Sequence, residues 1–196
     1  MSTSDRSLTP DVIAIIKATV PALEAHGLAI TTEMYHRLLA DPAISELFDP
    51  THQSKGTPPR ALAMAVLAYA KNIDNLGVMG SAVERIAQKH VSLEILPEHY
   101  PHVATALLGA IQHVLGAAAT PAILDAWGRA YWALADILMG REHQLYDVST
   151  HAEGGGTGWR TLRKVQGSPL CENVTKLELR TTEGKAGTKA EIGQDY

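Results

Sequence analysis

The sequence predicts an all-α domain followed by a short β-type segment. Three observations carry that expectation. Apolar residues before position 150 recur at helical spacings of three and four. The same helix-start signal, a threonine followed by proline, occurs at Thr9-Pro10, Thr57-Pro58 and Thr120-Pro121. Composition then shifts after Tyr146, where glycine, threonine and lysine replace the apolar stripes.

In each Thr-Pro pair the hydroxyl can cap the first free amides, and proline suits the first helical position because its missing N–H would go unpaired there anyway. The segment after Thr9 places Thr31, Tyr35, Leu38 and Leu39 at helical spacing. A short helical run, Glu46-Leu47-Phe48-Asp49-Pro50, closes just before a loop containing proline and lysine. After Thr57, Leu62, Val66, Tyr69 and Ile73 form one stripe. Val83, Ile86 and His90 share the apolar face of the next helix. Tyr100, Val103, Leu107, Ile111 and Val114 form another stripe. Ile123, Trp127, Tyr131, Leu134, Leu138 and Leu145 form the last, on a helix expected to run to about Tyr146.

Beyond it, Gly154-Gly-Gly156-Thr-Gly158 is a linker that follows no strand and opens no helix, so it is no phosphate loop. Eight of the 16 glycines fall in residues 151–196, among short alternating runs such as Thr175-Lys-Leu177-Glu-Leu179. That tail has too few apolar side chains for a core of its own. It is expected to be the truncated opening of a β domain.

Charge and composition exclude several classes. A net charge of -4 without a basic stripe argues against nucleic acid as a partner. The single Cys171 rules out an internal disulfide framework. The polar start Met1-Ser-Thr-Ser-Asp-Arg-Ser7 is unlike a signal peptide, and the greasiest stretch, Ala130 to Met139, is too short for a membrane span and carries Asp136. A cytoplasmic protein with no membrane span is expected.

Five residues stand out chemically. His90 on an apolar face is either a core histidine with a hidden partner or a metal ligand. Glu142, four after Leu138 and three before Leu145, falls on the inner stripe; it needs a partner if buried, unless the helix frays there and leaves it solvated. Tyr100 poses the same question for a hydroxyl. Tyr35 is either ordinary core or a hydroxyl aimed at a bound diatomic ligand. Phe48, the one phenylalanine, could stack on a flat macrocycle or simply plug its loop. His99 and His102, three apart, read as a solvated first turn rather than a metal site.

Several longer stretches carry a family resemblance: Ile15-Ile-Lys-Ala-Thr-Val-Pro21, Ala61-Leu-Ala-Met-Ala-Val66, Lys71-Asn-Ile-Asp-Asn-Leu76, Ala87-Gln-Lys-His90 and Leu124-Asp-Ala-Trp-Gly-Arg-Ala-Tyr131. With these, residues 9–150 resemble the globin domain of bacterial flavohaemoglobins and the related single-domain bacterial haemoglobins. The resemblance implies a globin fold over 1–150 that binds haem b. His90 would be the proximal iron ligand, with Tyr100 and Glu142 as the pair that hydrogen-bonds it. Tyr35 would be the distal tyrosine, Leu62 the distal leucine, and Phe48 the phenylalanine packed on the haem. It further implies dioxygen and nitric oxide as ligands, oxidation of nitric oxide to nitrate, and a reductase as electron donor. Its alternative is a haemoglobin that only binds, delivers or senses dioxygen.

One position departs from the family pattern. Gly56-Thr-Pro58-Pro59-Arg-Ala-Leu62 has Pro58 where the family usually places glutamine, so a side-chain donor is lost there. The tail, with Gly158-Trp-Arg160, Arg163-Lys-Val165 and Val174-Thr-Lys-Leu-Glu-Leu179, resembles the opening strands of the family's flavin reductase module. Ile192-Gly-Gln-Asp-Tyr196 is more weakly similar to a turn of that module. Residues 151–196 are thus expected to be linker plus the incomplete start of that module, with no FAD bound by this chain.

Overall fold

The computed structural model describes residues 6–45, 57–152, 156–158, 161–171 and 174–182. Among them six α-helices precede a two-stranded hairpin: α1 (Pro10–Ala18), α2 (Val20–Ala40), α3 (Thr57–Lys71), α4 (Gly80–Ser92), α5 (Tyr100–Leu115), α6 (Pro121–His151), β1 (Leu162–Cys171) and β2 (Val174–Thr181). The all-α expectation for the body and the β-type expectation for the tail both hold.

Two of the Thr-Pro starts can be followed atom by atom. Thr9 Oγ1 accepts the Val12 N–H at the head of α1, and Thr120 Oγ1 accepts the Ile123 N–H at the head of α6, each at 3.4 Å. Such a cap contributes about 1 kcal/mol to helix stability. α3 itself begins at Thr57, whose side chain lies outside the described residues. Between α1 and α2 the chain bends by 67° at Thr19. Pro21, second in α2, would clash with the Lys17 carbonyl in a continuous helix and donates no hydrogen bond to it, so the helix must break.

Two boundaries differ from the sequence reading. α6 continues past Tyr146 to His151, because no glycine or proline interrupts it there. Ile73, the last residue of its stripe, is buried but sits in the turn after α3. The expected helical run around Phe48, and Phe48 itself, lie outside the described residues.

The apolar interior falls into two clusters. The larger joins α1, α2, α3, α5 and α6 through residues such as Ile16, Ile30, Leu38, Tyr69, Ile111 and Trp127. The smaller joins α4, α5 and α6 through Ala87, Tyr100, Ala135 and Leu138. Tyr131 and Leu134 of α6 pack against both. α2 packs on α3 and α5, whereas α4 packs on α6. α3 and α4 therefore stand on different supports, with half-covered apolar side chains on each: Leu62 and Val66 on α3, Val83 and Ile86 on α4.

β1 and β2 pair antiparallel, with Gly167 opposite Leu177 and irregular register between Lys164 and Gln166 and between Pro169 and Cys171. Leu162, Val165, Val174, Leu177 and Leu179 stay about half exposed, since two strands alone cannot bury an apolar face. No single helix among the described residues is long and apolar enough to cross a membrane.

Candidate cofactor site

α4 ends two residues after His90, at Ser92, and the way it ends fixes that histidine's backbone. Leu93 caps the helix and Glu94 adopts a left-handed conformation with φ 56°. The Ile95 N–H then reaches back to the His90 carbonyl at 3.0 Å, and the Glu94 N–H to the Val91 carbonyl at 3.1 Å. This is the Schellman pattern, formed here without the glycine that usually supplies the left-handed residue. Tyr146 of α6 donates its hydroxyl to the Ile95 carbonyl at 3.0 Å, tying the same turn to the last helix.

The His90 side chain meets a buried carboxylate. Its Nδ1 lies 2.7 Å from Glu142 Oε1, and the Tyr100 hydroxyl donates to that same oxygen, also at 2.7 Å. The third side of the triangle, Nδ1 to the Tyr100 hydroxyl, is 3.3 Å. Glu142 is 2% exposed, which is tolerable only because two donors satisfy it. α6 reaches nine residues past it, so fraying does not expose it. Burial, and then the hydrogen bond to Glu142, push the Tyr100 hydroxyl far above its ordinary pKa, so it stays protonated and donates. Tyr131 in turn donates to the Tyr100 carbonyl at 2.7 Å.

The Glu142 carboxylate accepts, so Nδ1 carries a hydrogen toward it, and in the neutral imidazole Nε2 then holds the lone pair. The side chain is 30% exposed, and among the described residues Nε2 makes no hydrogen bond. An imidazole nitrogen of this kind, beside half-covered apolar walls, suits the metal of a flat apolar cofactor. The donor chemistry thus fits haem.

On the other side, Tyr35 of α2 and Leu62 of α3 are half-buried against the larger cluster. Burial raises the Tyr35 pKa, which keeps its hydroxyl a donor. The Pro58 side chain lies outside the described residues. His99 and His102 do not come together on a metal. His99 Nδ1 accepts the Leu96 N–H at 2.9 Å, and His102 Nδ1 pairs with Asp41 at 2.6 Å. The open cavity of about 270 Å³ beside that pair, lined by Arg37, Asp41 and Thr105 among others, includes none of the residues singled out for haem.

Three contributors escaped the sequence reading. Tyr131 and Tyr146 were visible only as members of a stripe and a helix end. Arg141, beside Glu142, forms a two-pronged pair with Glu84 of α4 at 2.7 and 3.0 Å. Hydrogen bonds from Arg141 and then Gln88 lower the Glu84 carboxyl to about 2.

Fold and site together define an all-α domain with a histidine-centred polar site at the margin of an apolar interior. A family description headed Globin matches residues 32–138, and the chain belongs to the globin family. It is 49% identical over 188 residues to a flavohemoprotein of Xylella fastidiosa, covering 96% of this chain and 47% of that relative. The chain thus spans about half the length of such relatives. Among solved structures, a bacterial globin from Campylobacter jejuni is 41% identical with a TM-score of 0.66, covering 71% of this chain and 99% of that one. A flavohemoglobin from Malassezia yamatoensis, solved with FAD and haem bound, is 29% identical with a TM-score of 0.78, covering 91% of this chain and 47% of that one.

Proposed function

We propose that this chain is a haem-binding globin that takes up dioxygen and, supplied with electrons, oxidises nitric oxide to nitrate. The observation that carries the proposal is the triangle of His90, Tyr100 and Glu142. A buried carboxylate accepting the Nδ1 proton gives the imidazole anionic character and makes Nε2 a stronger donor. Strong proximal donation favours activation of dioxygen over its reversible storage.

Haem held at His90 would supply a redox-active iron at which dioxygen and nitric oxide combine. The residues supply the rest. His90 fixes the cofactor, Glu142 and Tyr100 orient the imidazole, and Leu62 and the half-buried apolar side chains keep water out. Phe48, which lies outside the described residues, is proposed to pack on the macrocycle. The Tyr35 hydroxyl donates to the oxygen that becomes partly negative. Joining nitric oxide and dioxygen as nitrate takes up one electron in all, so each further turnover would require one electron from a reductase.

The test uses the 196-residue chain loaded with haem, reduced and oxygenated. Adding nitric oxide should yield nitrate and ferric protein at about one equivalent per haem, as the one-electron change demands. His90→Ala should lose the histidine-ligated spectrum and this reaction. Persistence of nitric oxide beside oxygenated protein would instead make the chain a dioxygen-binding or delivery haemoglobin.

A further inference from the structure

Thr31 lies one turn before Tyr35 on α2 and is 1% exposed. Its hydroxyl has one proton and three carbonyl oxygens within reach. Two belong to its own helix, Gly27 at 3.1 Å and Leu28 at 3.2 Å, the back-bonds that a helical threonine commonly makes. The nearest is the Pro59 carbonyl of α3, at 2.8 Å. The hydroxyl thus reaches across to α3 as well as along its own helix.

Pro59 stands in the opening turn of α3, directly after Pro58. Two consecutive prolines remove two N–H groups from that turn, so little can hold it by its donors. A bond to a carbonyl is one way to fasten it from outside. Further along the same contact, a Cβ placed on Gly27 would meet the Ala63 Cβ at 3.8 Å, so the two helices approach closely here. The latch sits at a junction: Tyr35 is four residues beyond Thr31, and Leu62 three beyond Pro59. Each is one helical turn away and on the same face as its neighbour.

We propose that Thr31 is a positioning residue of the distal wall, whose hydroxyl, through the Pro59 carbonyl, sets the placement of Tyr35 relative to Leu62. This rests on the reading of the site as a haem pocket. It assigns to main chain and hydroxyl an anchoring task for which a turn opened by two prolines has two fewer amides.

The experiment compares Thr31→Val, which keeps the shape and loses the hydroxyl, with Thr31→Ser, which keeps the hydroxyl. In the haem-free chain, amide exchange over Ala61–Val66 should quicken in Thr31→Val, with α4 unchanged, and remain at the wild-type rate in Thr31→Ser. In the haem-loaded chain, dioxygen dissociation should change about fivefold in Thr31→Val, the size expected for loss of one hydrogen bond. The carbon monoxide stretching band should broaden as well. In a Tyr35→Phe background the effect of Thr31→Val should shrink below about twofold, since the latch acts through Tyr35. Wild-type exchange and off-rate in Thr31→Val would overturn the proposal. So would an undiminished effect in the Tyr35→Phe background, or a Thr31→Ser variant as altered as the valine. A chain that takes up no haem would instead sink the reading of the pocket, while the exchange measurement would still decide the latch.

Discussion

On the α4–α6 side, a single carboxylate oxygen takes up two donors, a second hydroxyl, that of Tyr131, holds the Tyr100 carbonyl, and an arginine–glutamate pair joins the helices outside. On the α2–α3 side, the residues singled out are Tyr35 and Leu62 against an apolar cluster, with one threonine hydroxyl joining the helices. The described contacts thus fix the α4–α6 side by polar bonds around one carboxylate, and give the α2–α3 side apolar packing with the Thr31 hydroxyl across it. Hydrogen bonds specify distance and direction, whereas apolar contacts specify chiefly volume. A wall that must hold an imidazole at one tautomer requires the former. A wall proposed to admit a small uncharged ligand works with the latter.

The largest break in that comparison should come from Glu142→Gln. The amide keeps the shape and an acceptor oxygen but loses the charge, so the imidazole becomes less electron-rich. The haem reduction potential should rise by on the order of 60 mV, the one-electron equivalent of about 1.4 kcal/mol for a charge-assisted hydrogen bond. The dioxygen off-rate should move much less. A redox titration showing no shift would mean that the carboxylate does not tune the imidazole.

Tyr35→Phe should do the reverse. Dioxygen should leave about five to ten times faster, the loss of one hydrogen bond, with the potential nearly constant. Stopped-flow off-rates equal to wild type would show that the hydroxyl serves the core and not the ligand.

The smallest effect should come from the exposed Glu84–Arg141 pair. Glu84 has a folded pKa lowered to about 2, against roughly 4.3 unfolded, so its contribution is present above the unfolded value and lost as pH falls toward 2. The Tm of wild type should exceed that of Glu84→Gln at pH 6, and the gap should close between pH 4 and 2. A gap independent of pH would show that the pair adds no ionic stabilisation.

The body of the fold was legible because it rests on local rules. Thr9 and Thr120 cap as their Thr-Pro pairs predict, and the stripes through Tyr69, Ile111 and Trp127 lie in the core. Glu142 was half legible: its phase on the stripe placed it inward, but whether it was buried depended on how far α6 continued. The periodicity ended near Tyr146 only because polar residues follow, and polarity alone does not stop a helix. Partnerships were least legible. Glu84 and Arg141 are 57 residues apart, and Thr31 and Pro59 are 28 apart. No local pattern marks such pairs, and an interior threonine's hydroxyl ordinarily bonds within its own helix.

α6 runs unbroken for 31 residues, about 46 Å at the helical rise. It starts beside Trp127 in the larger cluster, passes Glu142, and ends at the segment leading to the hairpin. A helix of this kind behaves as a stiff rod, so a pull or twist applied beyond His151 acts along its axis on the carboxylate that faces His90. The α2–α3 wall is tied to the same helix nearer its start, where Tyr69 of α3 donates its hydroxyl to the Ala130 carbonyl at 2.8 Å. A disturbance entering from the tail therefore meets the Glu142 side first and the α2–α3 side about three helical turns further along.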